Sequence, residues 1–250
     1  MLNTKKYLPL RINIIPPPMT QNILIFLLAV APAIILITYI YLVDIKQREP
    51  IPQILKGFIY GIISAFIAIF AASFLADVQF YTDTFSNIVE AGRVAFWGAA
   101  LPEEAAKLFM LWLLVRKNKY FDEHLDGIVY AVAISMGFAA FENILYLFDN
   151  YEQWFTIGIA RAILSVPGHY AFAVLMGYYY SKVHFGISNA PKDKLMILLA
   201  PVLVHTIFDW ILFTISITPA LAILLTIIFI IFVIKMHQYA NARIKEHLPK

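Results

Sequence analysis

The sequence predicts an all-α membrane protein, a polytopic helical bundle with about seven transmembrane spans. Of its 250 residues, 61% are hydrophobic and 14% are charged, and the mean hydropathy is +0.76. A soluble domain carries about 25% charged residues, so the composition excludes an ordinary soluble fold. The apolar residues also fall in runs of about 20, the length at which a helix crosses roughly 30 Å of hydrocarbon.

Seven apolar runs reach this length. In chain order, the predicted spans are 23–43, 54–76, 93–115, 127–148, 155–181, 195–215 and 219–235. The third, fourth and fifth hold most of the polar residues, which is typical of helices that face the interior of a bundle. The seventh is almost entirely Ile, Leu and Phe, so we expect it to face lipid.

The spans form one predicted transmembrane domain, residues 23–237, with a site-bearing core at about 92–210. Residues 1–22 precede it, and 238–250 form a predicted cytoplasmic tail. The loops after the first, third and fifth spans and the C-terminus carry most of the Lys and Arg residues. The positive-inside rule therefore places these loops and the C-terminus in the cytoplasm of a cell-membrane protein. The basic residues of the N-terminal segment fall on the opposite side, against the rule.

Two further features limit the chemistry. The chain has no cysteine, which excludes disulfides, thiolate metal sites and cysteine nucleophiles. The net charge of +3 is too small to predict nucleic-acid binding. The expected environment is a lipid bilayer.

The third span carries ionisable side chains where the bilayer centre would lie, Glu103, Glu104 and Lys107. Burying such groups in hydrocarbon costs free energy, so ionisable residues inside a membrane span indicate a functional site. Glu103 and Lys107 are four residues apart and share a helix face, so a structural ion pair accounts for these two. Glu104 is left without a local partner, and this favours a functional role for it.

The fourth, fifth and sixth spans hold further polar residues. Glu142 is followed one helical turn later by Tyr146, His169 follows a Pro-Gly break, and His205 is followed one turn later by Asp209. Each has a structural alternative, since buried polar pairs also join membrane helices. Ala173 and Gly177, at four-residue steps after His169, are more typical of close helix packing than of chemistry.

Taken together, these residues are the set that a metal hydrolase needs. Histidines and a carboxylate bind Zn²⁺, and a free glutamate takes the proton of the attacking water. Counted from the outer ends of their helices, Glu103, His169 and His205 lie at similar depths. We therefore expect one site between four central helices, in the middle to outer half of the bilayer. The chain has no His-Glu-x-x-His motif of soluble zinc proteases.

The pattern Glu103-Glu104-x-x-Lys107, Phe141-Glu142-x-x-x-Tyr146, His169 and His205-x-x-x-Asp209 resembles the PrsW family of intramembrane metalloproteases. That family is related to the CAAX prenyl endopeptidases and bacteriocin-processing enzymes. The resemblance covers roughly residues 92–210, just under half of the chain. It implies a helical membrane protease that cleaves single-pass membrane proteins such as anti-sigma factors near the extracytoplasmic side.

Carried over by position, the family's paired glutamates fall on Glu103 and Glu104, and its two histidines on His169 and His205. Glu103 is favoured as the general base. The third acidic position is Glu142, which is a candidate metal ligand with the two histidines or a support for them. The implied metal is Zn²⁺. Lys107, Tyr146 and Asp209 are then expected to position these groups, with Tyr146 orienting Glu142 and Asp209 orienting His205.

Two other functions remain compatible with the residues themselves. Buried Glu, His, Asp and Lys also form proton relays, so an ion- or proton-coupled transporter is the main alternative. The absence of an inverted repeat speaks against it. A third possible function is that of a non-catalytic relative that only binds membrane partners. The sequence does not predict the oligomeric state.

Overall fold

The computed structural model describes residues 19–44, 47–82 and 84–247. These ranges contain helices and no strand, as predicted. The nine α-helices are α1 (Met19–Val43), α2 (Ile51–Asp77), α3 (Ile88–Arg93), α4 (Leu101–Val115), α5 (Asp126–Asp149), α6 (Trp154–Ile163), α7 (Ser165–His184), α8 (Pro191–Ile217) and α9 (Ala222–His247). Most of the predicted N-terminal segment, residues 1–18, lies outside the described residues, as do residues 248–250.

Six helical stretches are long and apolar enough to cross a membrane: 19–43, 51–77, 126–149, 151–184, 191–217 and 219–247. They correspond to six of the seven predicted spans. The remaining predicted span, 93–115, lies in a stretch that is helical from residue 88 to 115 but is divided into α3, a π-helical segment and α4. The architecture is therefore the expected helical membrane bundle.

Helix α5 lies at the centre of the bundle and is buried along most of its length. It packs against α1, α2, α4 and α7, and small residues allow the close approaches. A Cβ atom on Gly137 would lie 2.0 Å from the carbonyl oxygen of Phe58 in α2. A Cβ atom on Gly177 in α7 would lie 2.3 Å from the carbonyl oxygen of Gly127. The packing role predicted for Gly177 is confirmed.

Helix α9 has the opposite character. Its apolar side chains point mostly away from the bundle; Ile223 is 81% exposed and Leu224 is 55% exposed. In a membrane protein this surface meets lipid, as the composition of the last predicted span indicated. The helix continues to His247, well beyond the predicted end at residue 235.

A π-helical segment, Val94–Ala100, leads directly into α4. Its cause lies in Pro102, the second residue of α4. Proline has no backbone N–H, and its ring clashes with the carbonyl four residues earlier in an α-helix. The wider π turn, in which the N–H of Leu101 reaches the carbonyl of Phe96, accommodates the ring. Glu103 and Glu104 therefore lie in the first α-helical turn after this irregularity.

The predicted break at Pro167-Gly168 is also present. Helix α6 ends at Ile163, and α7 begins at Ser165. Pro167 then occupies the first turn of α7, where a missing N–H does no harm. His169 is placed near the start of the new helix and is 3% exposed.

Candidate active site

The polar residues predicted from the sequence meet between four helices. Helix α4 contributes Glu103, Glu104 and Lys107, and α5 contributes Glu142. Helix α7 contributes His169, and α8 contributes His205 and Asp209. The structure therefore brings these side chains together between four helices, as expected from the sequence.

The Lys107 ammonium lies at the centre of the group. It donates to Glu104 Oε1 at 2.8 Å and to Glu103 Oε2 at 3.2 Å. It also lies 3.3 Å from His169 Nδ1 and 3.9 Å from the centroid of the Phe138 ring. Lys107 is 2% exposed, so it serves as a buried counter-charge for both glutamates.

The sequence suggested that Glu104 has no partner and that Lys107 pairs with Glu103 alone, and this was wrong. Glu104 is fully buried. Its Oε1 atom lies close to both the Lys107 ammonium and His205 Nδ1, the latter at 2.9 Å. The reason is that Lys107, three residues after Glu104, bends back between the two carboxylates. The partner from α8 is far away in sequence and left no local signal.

His205 lies between two carboxylates. Its Nδ1 atom is 2.9 Å from Glu104 Oε1, and its Nε2 atom is 3.2 Å from Asp209 Oδ2. The contact predicted for His205 and Asp209 is therefore present. The imidazole also stacks on Phe172 of α7, with 4.5 Å between ring centroids. Together these contacts fix the plane of the ring.

Glu142 is held by a residue that the sequence reasoning did not assign to the site. Arg161 of α6 donates through Nη2 to Glu142 Oε2 at 2.6 Å and through Nε to Asn143 Oδ1 at 2.7 Å. The same Glu142 oxygen lies 2.9 Å from His169 Nε2. Arg161 thereby fixes Glu142, which in turn fixes the imidazole of His169.

The orienting role expected for Tyr146 needs correction. In the described residues, Tyr146 makes no hydrogen bond to Glu142, and it is 46% exposed. Its ring lies instead under the Arg161 guanidinium, 3.9 Å from the ring centroid. Tyr146 therefore contacts the site through Arg161.

A cavity of about 330 Å³ opens onto this group. Its polar wall is formed by Glu103, Glu142, Arg161, His169, His205 and Asp209. Its apolar wall includes Leu164, Phe172, Phe208, Leu212 and Phe213. The Glu103 side chain is 14% exposed, whereas that of Glu104 is fully buried. Of the adjacent glutamates, only Glu103 reaches the cavity.

A smaller groove of about 180 Å³ adjoins the cavity on the side of α2. It shares Glu103, Glu142 and Tyr146 with the cavity. Half of its other lining residues are small, namely Ala65, Ala68, Ala72 and Gly98, and half are large, namely Ile69, Phe138, Phe141 and Leu145. A polypeptide segment can approach closely beside the small residues. The carboxylates of Glu103 and Glu142 therefore lie where the apolar groove meets the polar cavity.

The donor set fits a metal ion. Glu103, Glu104, His169 and His205 each offer one ligand atom, and these atoms lie within 4.8 Å of one another. Imidazole nitrogen and carboxylate oxygen are the donors that Zn²⁺ takes. Glu104 Oε2 is buried and makes no hydrogen bond within the described residues. It is therefore a buried acceptor whose requirement a cation would meet.

The charges lead to the same conclusion. Four carboxylates, those of Glu103, Glu104, Glu142 and Asp209, face two permanent cations, Lys107 and Arg161. The excess of two negative charges is costly in a buried site. A divalent cation or two protonated imidazoles would balance it.

The chain is similar to known proteins over most of its length. The profile of the family described as "PrsW family intramembrane metalloprotease" matches residues 49–236. Protease PrsW of Clostridioides difficile (strain 630) is 37% identical over 229 residues, which cover 90% of this chain and 93% of the relative. Protease PrsW of Bacillus subtilis (strain 168) is 35% identical over 188 residues, or 75% of this chain and 82% of the relative.

A third relative, Protease PrsW of Geobacillus kaustophilus (strain HTA426), is 36% identical over 183 residues, covering 73% of this chain and 77% of its own length. No solved structure matches the chain. The region matched by the family profile contains every residue of the candidate active site.

Proposed function

The chain belongs to the PrsW family of intramembrane metalloproteases, and from this we propose how its site cuts a substrate. The reaction is hydrolysis of a peptide bond in or near the transmembrane segment of a single-pass membrane protein, such as an anti-sigma factor. Glu103 is the general base. The observation that carries this assignment is the position of its carboxylate, which lines the cavity while Glu104 is enclosed.

The proposed metal is Zn²⁺, bound by His169, His205 and a carboxylate. We favour Glu104 as that carboxylate, because its Oε2 atom is buried and unpartnered within the described residues. Glu142 was expected as a ligand, but its charge is already compensated by Arg161. A bound Zn²⁺ supplies Lewis-acid polarisation of the attacking water and of the scissile carbonyl.

The protein's own groups perform the proton transfers. Glu103 takes a proton from the water as it attacks the carbonyl carbon, and it returns that proton to the departing amine nitrogen. Lys107, 3.2 Å from Glu103 Oε2, stabilises the ionised carboxylate in an apolar setting. Asp209 contacts the imidazole of His205, and Glu142 contacts that of His169, so both rings are held in place. Loss of such a supporting contact typically lowers metal affinity or activity by about 10- to 100-fold.

The surroundings suit a transmembrane substrate. The apolar wall of the cavity accepts aliphatic and aromatic side chains, and the groove along α2 accepts a backbone at close range. We propose that the substrate segment enters along this groove and presents its peptide bond to Glu103.

Orientation follows from the distribution of basic residues. With the C-terminus in the cytoplasm, α5 begins on the cytoplasmic side at Asp126. The rise from there to Glu142 is about 24 Å at 1.5 Å per residue. The site then lies in the middle to outer half of the membrane, where cleavage on the extracytoplasmic side is expected.

Two measurements test the proposal. Detergent-purified wild-type protein should carry close to one zinc per chain, and His169→Ala and His205→Ala should lose it. Co-expression with single-pass membrane proteins, anti-sigma factors among them, should yield a cleaved fragment that is absent with Glu103→Gln. A zinc-free wild type, or cleavage that persists in Glu103→Gln, would refute the mechanism. Ion uptake into vesicles without proteolysis would support the transporter instead.

A further inference from the structure

A second group of acidic side chains lies near the opposite end of the bundle from the candidate active site. Asp44 follows the end of α1, Glu123 lies in the loop between α4 and α5, and Asp126 begins α5. One carboxylate oxygen from each lies within 4.8 Å of the others. The rise along α5 from Asp126 to Glu142 is about 24 Å, so the two groups are separate.

Asp44 and Asp126 are buried and Glu123 is partly exposed, and within the described residues each has a buried carboxylate oxygen without a hydrogen bond. Asp44 is 1% exposed and Asp126 is 0% exposed. Within the described residues, neither oxygen of Asp44 makes a well-aligned hydrogen bond, although the backbone N–H groups of Gln47 and Glu49 lie near its carboxylate. Glu123 Oε1 and Asp126 Oδ1 are also buried and make no hydrogen bond. Each of the three side chains therefore has at least one enclosed oxygen without a well-aligned donor. Unpaired buried carboxylates are costly, and such atoms call for an explanation.

The two carboxylate oxygens of Asp126 differ in their hydrogen bonds. Its Oδ2 atom accepts hydrogen bonds from the backbone N–H groups of Asp122 and Glu123, at 2.9 and 2.8 Å. These two contacts fix the carboxylate at the start of α5. Its Oδ1 atom makes no well-aligned hydrogen bond within the described residues, and the carboxyl group of Glu49 lies beside this carboxylate.

A fourth acidic side chain lies beside these three. Glu49, 3% exposed, accepts a hydrogen bond from the Tyr130 hydroxyl and lies close to Asp126. Burial raises the pKa of Glu49 to about 9, and burial and the nearby Asp126 raise the pKa of Glu123 to about 7. Arg48 offsets part of the charge on Asp44, but its guanidinium is stacked over Tyr41, 5.5 Å from the ring centroid.

We propose that Asp44, Glu123 and Asp126 bind a hard divalent cation, Ca²⁺ or Mg²⁺, which joins the end of α1 to the start of α5. The donors are all carboxylate oxygens, and hard cations prefer these. Oxygens bound to one Ca²⁺ at about 2.3–2.6 Å lie at most about 5 Å apart. The observed spacing fits within that limit, and Mg²⁺ needs a slightly tighter arrangement. This site is independent of the proteolytic mechanism.

Thermal unfolding of the full chain in detergent tests the site. Metal-depleted protein is titrated with MgCl₂ and, separately, with CaCl₂. At a cation concentration of about 100 times Kd, Tm should rise by roughly 5 °C. Asp44→Asn and Glu123→Gln should lose that rise. Asp122→Asn removes an exposed carboxylate from the same loop and should keep it.

A second measurement uses Mn²⁺ as a spectroscopic probe. Electron paramagnetic resonance should detect one bound Mn²⁺ that Ca²⁺ or Mg²⁺ displaces, and this binding should persist in His205→Ala. That result does not depend on the folding of the Asp44 variant. Wild-type protein without a Tm response to either cation overturns the site. So does an equal response in Glu123→Gln, or loss of Mn²⁺ binding in His205→Ala.

Discussion

Glu103 and Glu104 are adjacent in the chain, but their carboxylates have different surroundings. Glu104 Oε1 lies 2.8 Å from the Lys107 ammonium, and the side chain is fully buried. Glu103 Oε2 lies 3.2 Å from the same ammonium, and its side chain is 14% exposed and lines the cavity. One glutamate is therefore part of the packed interior, and the other can meet water and substrate.

Glu104→Ala should reduce stability as well as activity. The change leaves the Lys107 charge with only one carboxylate neighbour on α4 and removes a partner of His205. Breaking a buried ion pair from one side costs roughly 3–5 kcal/mol. The check is the unfolding midpoint in detergent, compared with that of Glu103→Gln, which should fall less because the Glu103 side chain is partly exposed and glutamine keeps its size. Equal midpoints for Glu104→Ala and wild type would contradict the described burial.

Arg161→Met should weaken zinc binding and cleavage by about 10- to 100-fold, because Glu142 then no longer holds His169 firmly. Arg161→Lys should recover part of the loss, since it keeps the charge but not the two-pronged contact. The measurements are zinc content after dialysis and the cleavage rate. Arg116→Met, an exposed arginine at the end of α4, is the matched control. A similar loss in both methionine variants would argue against a specific role.

Gly137→Ala should destabilise the bundle. The added Cβ atom would lie 2.0 Å from the carbonyl oxygen of Phe58, so α2 and α5 must separate, at a cost of about 1–3 kcal/mol. The control is Gly186→Asn, at a position with φ of 71° and no atom within 4 Å. Asparagine tolerates that conformation. Thermal unfolding should show a clear loss in the first variant only.

Ala72→Phe should impair substrate entry without affecting the metal. Ala72 lines the groove along α2, and a phenylalanine there narrows the route to Glu103. The expected result is slower cleavage with a raised KM and unchanged zinc content. Ser73→Phe places the same side chain at the neighbouring exposed position and should cleave normally. Normal cleavage by Ala72→Phe would place the entry route elsewhere.

Much of the architecture was predictable because hydrocarbon imposes a simple rule on length and polarity. The spans and the convergence of Glu103, His169 and His205 follow from apolar runs and from similar depths. The predicted contact between His205 and Asp209 follows from helical spacing.

The remaining features depend on contacts between distant helices. Arg161 lies within the predicted fifth span, and an arginine inside an apolar helix requires a partner. That signal could have found its pairing with Glu142. No local pattern indicates that Lys107 reaches Glu104 and His169 as well as Glu103. The acidic group around Asp44 combines three separate segments, so only the folded chain brings it together.

The most direct test of the central claim is a comparison of protein N-termini in cells that express wild-type protein or Glu103→Gln at equal levels. The account predicts new N-termini in or near transmembrane segments of single-pass membrane proteins with wild type. With Glu103→Gln these should fall by about 10²- to 10⁴-fold, the range attributed to a general base. The same new N-termini at similar abundance in Glu103→Gln cells would contradict the role of Glu103.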